Sequence, residues 1–241
     1  AIRICSGVVP QHPPMPRMPS ATKRLAYSVK FGKLSLAGAD SAYELLERVS
    51  DPLVVSSFQS TYSVALALSA MYDEAYRISA EFLSTSEQYR LDFARPYALC
   101  SFALASVGLR HWGRARAALE EAHRLARKRK DSNAGHLAHA QLLRLFAQRG
   151  RYGSALALET PSLEGALNAS RAEVLLSRAL VLACAGRVDE ALALTDKART
   201  LSRAVEPRVL VAAVEAVSAV RSRDRNMLER LSALELAAFD S

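Results

Sequence analysis

His136 and His139 are the first residues whose type and spacing suggest chemistry. Three positions apart, they share one face of a helix, and imidazole pairs on one face can begin a metal site. Two ligands do not complete a coordination sphere, and no carboxylate or Cys stands at helical spacing beside them. His139 also falls on an apolar packing stripe, so the sequence assigns the pair to the core and to no metal. Asp189 and Glu190 are adjacent carboxylates, the residue type of general acid–base work. They stand at a helix start, where negative charge complements the macrodipole. Cys184 has no His near it and reads as a small packing residue. Cys5, Cys100 and Cys184 are odd in number and have no CxxC spacing, which excludes a disulfide framework and a zinc ribbon. The chain holds no GxxxxGK[ST] phosphate loop, no GxGxxG and no GxSxG elbow. The expectation is a non-enzymatic protein without cofactor or metal.

The elements that carry these residues are helical. Ala alone occurs 43 times, and with Leu it makes up about a third of the 241 residues. Both are strong helix formers, so the fold class expected is all-α. No apolar run reaches the roughly 18 residues of a membrane span. The nearest, Val209 to Val220, is too short and contains Glu215. The start of the chain makes a poor signal peptide, and a reducing cytoplasm is the expected compartment. The net charge is +8, with 26 Arg against 6 Lys, which is the mark of GC-rich coding rather than of a polyanion partner. The one dense basic cluster is Arg124, Arg127, Lys128, Arg129 and Lys130. It closes an expected helix, where positive charge suits the dipole.

A repeat orders these helices. Four blocks recur: Tyr72-Asp73-Glu74-Ala75, Trp112-Gly113-Arg114-Ala115, Tyr152-Gly153-Ser154-Ala155 and Val188-Asp189-Glu190-Ala191. Their alanines are spaced 40, 40 and 36 residues apart, and Gly150 and Gly186 lie just before two of the blocks. Helical stripes flank each block. Leu99, Phe102, Ala103 and Ser106 precede Ala115, and Leu119, Ala122 and Leu125 follow it. Leu175, Ala179 and Leu182 precede Ala191, and Leu194, Ala198 and Leu201 follow it. Each unit is therefore a first helix, a tight turn and a second helix. Ala at the turn lets the two helices approach closely. Ala75, Ala115, Ala122, Ala155, Ala191 and Ala198 are the expected packing positions. A 40-residue spacing predicts long loops between repeats, and Thr160-Pro161 should cut short the helix after Ala155. Ala42 marks a weaker copy, followed by Leu45, Leu46 and Val49. The stretch 208–221 reads as a first helix, apolar nearly all round and so covered on several sides, and 227–238 as its second.

Residues 1–19 differ: five of the nine prolines lie between Pro10 and Pro19, so this stretch reads as a linker or disordered tail. Met15 and Met18 within it are linker residues on the same ground. Residues 20–241 form the expected repeat domain. The missing initiator Met, and an end without a polar cap after Leu234, Leu236 and Phe239, read as those of a fragment of a longer protein.

This pattern resembles the tetratricopeptide repeat. Ala115 with Ala122, and Ala191 with Ala198, have that family's seven-residue spacing, and an aromatic or apolar residue stands three before each turn Ala. The positions where the family favours Trp hold Leu99, His139 and Leu175 instead. The resemblance implies a right-handed superhelical solenoid of antiparallel helix pairs, with about 10–12 helices. The phrase from Leu182 to Leu194, LACAGRVDEALAL, is similar to the sensor repeats of large bacterial LuxR-family transcriptional regulators of the maltose-activator (MalT-like) type. The likeness covers residues 40–241. Those regulators carry an ATP-binding module before the repeats and a helix-turn-helix after them, and neither is present in these residues.

The resemblance implies a binding module. Its concave face would be lined by the first helices: Ser57, Ser60 and Val64, then Tyr97, Cys100 and Leu104, then Leu137, Ala140, Arg144 and Gln148, then Glu173, Leu176 and Leu180. Tyr97, Arg144, Gln148 and Glu173 are the polar members able to orient a ligand. A protein partner or small inducer would bind there, with self-association as a further possibility and no direct contact to DNA or membrane. The alternative is a free-standing adaptor that joins two proteins.

Overall fold

The structure, a computed structural model, describes residues 39–202, 205–224 and 226. The expected linker 1–19 and the expected last helix 227–238 lie outside the described residues. Helix α1 (Ala39–Glu44) runs through a 3-10 turn (Leu45–Arg48) towards α2 (Pro52–Leu68), α3 (Tyr72–Gln88), α4 (Arg95–Gly108) and α5 (Trp112–Arg129). The chain continues through α6 (Ser132–Gln148), α7 (Tyr152–Leu156), α8 (Asn168–Cys184), α9 (Val188–Arg199) and α10 (Val205–Ser222). No strand occurs among the described residues. None of the described helices is long and apolar enough to cross a membrane.

The starts and stops of these helices are local chemistry. Asp51 caps α2, its carboxylate accepting from Leu53 N at 2.9 Å with Pro52 in the first turn. Asp131 caps α6 by accepting from Ala134 N at 3.0 Å. Seven helix ends share one form. A residue with positive φ follows each: Ala70, Arg90, Arg110, Lys130, Gly150, Gly186 and Arg223. The next N–H then reaches the carbonyl five residues back, as in Met71 to Leu66 (3.0 Å), His111 to Ser106 (2.8 Å) and Arg187 to Leu182 (2.9 Å). This is a Schellman closure, which satisfies carbonyls that a helix end leaves open.

The first five stops, at residues 70, 90, 110, 130 and 150, are twenty residues apart. The 40-residue period is thus two 20-residue helical units. The extra length lies in helices of 17 or 18 residues, not in the long loops the spacing suggested. The exception follows α7, which ends at Leu156 as the Thr160-Pro161 break requires. A loop over residues 157–167 takes the place of its missing turns.

The helices form two layers. Each of α2, α4, α6, α8 and α10 touches the next of its set, making one continuous layer. The outer α3, α5, α7 and α9 each lie against the two inner helices that flank them. The core is correspondingly a string of local clusters, one unit feeding the next. Ala75, Ala115, Ala122, Ala155, Ala191 and Ala198 all sit in it, none more than 1% exposed. The aromatic three before the Ala also packs tightly: a Cβ on Gly108 would lie 2.1 Å from Tyr72 Cδ1. The buried stripes named from sequence are in place, with Leu119, Ala103, Ala179 and Ser106 fully enclosed.

One expectation about burial changes. Val209 and Val220 on α10 are 62% and 64% exposed, although the apolar run was expected to be covered on several sides. Among the described residues α8 and α9 flank this helix, and Pro207, Val214, Ser218 and Ala219 are its buried residues.

Candidate binding face

The expected face lies along the inner layer, and the structure divides its residues into two kinds. Ser57 is exposed, and Ser60, Val64, Tyr97, Leu104, Leu137, Arg144, Glu173 and Leu180 are half-buried. Gln148 is exposed at the end of α6. Cys100, Ala140 and Leu176, named for the same face, are buried instead, each no more than 1% exposed. They occupy the seam where one inner helix meets the next, so they hold the layer together and present nothing to a ligand.

Two polar ties cross the seams. Arg144 Nη1 donates to Glu173 Oε1 at 3.0 Å and to Ser177 Oγ at 3.1 Å, and Nη2 donates to Glu173 Oε1 at 2.9 Å. The two charged side chains expose only 21% and 25% of their surface. Partial burial removes screening water from this tie of α6 to α8 and adds a desolvation cost, which the further hydrogen bond to Ser177 helps to offset. The second tie spans three helices. Tyr97 OH donates to Asp131 Oδ1 at 3.3 Å, Asn133 Nδ2 donates to the Tyr97 oxygen at 3.2 Å, and Ser170 Oγ donates to Asn133 Oδ1 at 2.8 Å. Burial pushes the Tyr97 phenol above its ordinary pKa; Asn133 opposes this and the Asp131 charge adds to it. Asn133, Ser170 and Ser177 were not singled out in the sequence. Only their place one repeat away from Tyr97 and Arg144 reveals them.

His136 and His139 are packing and clamping groups. His136 is 3% exposed and its Nε2 pairs with the Ser162 carbonyl at 2.8 Å, fastening the loop after α7 to α6. Arg178 supports the same loop by donating to Thr160 Oγ1 at 3.0 Å. His139 is 2% exposed, its ring centroid 6.4 Å from that of His123, and its Nε2 is buried without a hydrogen-bond partner. Burial, helped by the nearby His123, Arg178 and His136 charges, pulls its pKa down to about 4. Among the described residues no group of three or more His, Cys, Asp or Glu is placed to hold a metal ion. Burial raises the pKa of both Cys100 and Cys184, so each remains a protonated thiol. Glu190 is ion-paired with Arg187 at 2.6 Å at the start of α9. In the basic cluster Arg124 pairs with Glu121 at 2.6 Å and Arg129 with Asp92 at 3.5 Å, at the end of α5.

The arrangement can therefore do one kind of chemistry well. It offers a long, mixed face on which paired side chains from successive helices present hydrogen-bonding groups. Comparison with protein-family models, with curated proteins and with solved structures gives no match to this chain.

Proposed function

We propose that this chain is a non-catalytic binding module, the ligand- or protein-sensing segment of a LuxR-family regulator of the MalT-like type. Its helix pairs stack as a right-handed superhelix of the tetratricopeptide kind, with the inner helices on the concave face. The observation that carries this is the unbroken inner layer from α2 to α10, in which polar ties join successive helices from α4 to α8. A ligand on such a face touches several repeats at once. A carboxylate of an incoming partner competes with Glu173 for the Arg144 guanidinium, and release of Glu173 frees α6 from α8. A ligand with unequal affinity for the tied and released arrangements shifts the balance between them. That shift passes along the stack to the ATP-binding and DNA-binding modules of the intact regulator. The segment itself works in the cytoplasm and touches neither DNA nor membrane.

Two experiments test this. The coding DNA should hold a phosphate loop upstream of these residues and a helix-turn-helix downstream. Start and stop codons directly adjoining them would overturn the regulator and favour the free-standing adaptor. In the intact protein Glu173→Gln should then alter inducer-dependent transcription while thermal unfolding stays cooperative. An inducer response unchanged in Glu173→Gln and Arg144→Met together would refute the role of this face.

A further inference from the structure

The loop over residues 157–167 borders a half-open cavity of about 390 Å³ lined by Leu163, Glu164, Gly165, Arg171, Leu175 and Lys197. That size falls within the range of small-molecule sites. Its chemistry follows from a comparison within the chain. Arg95 in α4 and Arg171 in α8 hold the same place, each fifteen residues before the left-handed stop of its helix, at Arg110 and Gly186. Both guanidiniums are seated alike, with Nε buried and unpartnered.

Their surroundings differ in charge. Arg95 is ion-paired with Glu87 at 3.1 Å, near the end of the preceding outer helix α3. It also helps hold the Glu121 carboxyl below its usual pKa, after the dominant hydrogen bond from Arg124. Around Arg171 both carboxylates are gone. The preceding outer helix α7 ends at Leu156, and the loop over residues 157–167, which brings Glu164 to the cavity without pairing it to Arg171, replaces the turn that would carry a counterpart of Glu87. Lys197 takes the place of Glu121, each six residues after its turn Ala, Ala191 and Ala115. Among the described residues Arg171 and Lys197 form no ion pair, and the Glu164 carboxylate pairs with neither.

We propose that this cavity binds a small organic carboxylate. Its head group takes the position that Glu87 fills beside Arg95, between Arg171 and Lys197. Its apolar body lies against Leu163 and Leu175, which belong to the apolar cluster between α8 and α9. Arg171 and Leu175 project from α8 about 200° away from Glu173, given 3.6 residues per turn, so this site is separate from the binding face.

Titration of the protein with hexanoate, followed by the amide shifts of Leu163, Gly165 and Arg171, tests the proposal. The shifts should saturate. Lys197→Glu, an exposed substitution whose fold is checked by circular dichroism, should weaken hexanoate by about tenfold or more, as should Arg171→Met. Glu164→Gln should tighten binding, and Arg95→Met should leave it unchanged. Absence of saturation at tens of millimolar would overturn the site. So would equal binding of 1-hexanol or inorganic phosphate, or affinity indifferent to Arg171 and Lys197.

Discussion

His139 makes the stability of this protein depend on acid. Its ring is enclosed against His123 from α5, with His136 on its own helix and the Arg178 charge from α8 nearby. It is neutral when folded, with a pKa of about 4 against 6.5 for the free side chain. Because the folded value is the lower one, the unfolded chain binds more protons between those pH values. Stability is full above pH 6.5 and falls as the pH drops towards 4. The separation corresponds to roughly 3 kcal/mol at its limit, and to about 2 kcal/mol already at pH 5. His139→Leu removes the titrating ring at similar volume. It also removes the orphaned Nε2, so stability at pH 7 should hold or rise. Urea unfolding at pH 7 and pH 5 measures the difference. The parent should lose about 2 kcal/mol more than the variant over that interval. Equal losses would refute the assignment of a buried neutral His139 and shift the acid sensitivity to other groups.

Three further outcomes follow from the packing. Arg110→Gly and Lys130→Gly should each raise stability by about 0.5–1 kcal/mol in thermal unfolding, because both positions have left-handed φ that costs an L-residue strain. Gly108→Ala should cost about 1–3 kcal/mol, since its Cβ meets the Tyr72 ring; a neutral result would mean that the ring moves aside freely. Ala115→Leu and Ala191→Leu should each destabilise by a similar amount or more by forcing inner and outer helices apart, read as a lowered urea midpoint.

Much of this architecture is legible in the order of the residues. Ala and Leu content, the stripes around Ala115 and Ala191 and the break at Thr160-Pro161 report periods and steric rules that act within a few residues. The helix stops are only partly legible. Gly150 and Gly186 advertise a left-handed backbone, but Ala70, Arg90, Arg110 and Lys130 adopt the same conformation against their own preference. There the closure is imposed by the packing of the helices on both sides. The mistaken long loops came from the same source, since the twenty-residue unit is visible only when those four stops are known.

The candidate face shows the same division. Tyr97, Arg144 and Glu173 were expected on it from the resemblance to the tetratricopeptide repeat, which carries the register of each first helix but not its neighbours' side chains. Burial of Cys100, Ala140 and Leu176, and the partners Asn133, Ser170 and Ser177, could not be expected in this way, because they depend on the neighbouring repeat, with the pairs 33 to 37 positions apart. Local residue pattern settles the helices, their order and the small residues that let them meet. Packing in three dimensions settles which polar groups pair across the seams. It also leaves Arg171 without the carboxylates that surround Arg95, since a charge's partner is set by distance in space: Thr160-Pro161 marks the shortened outer helix in the chain, but not whose partner is lost with it.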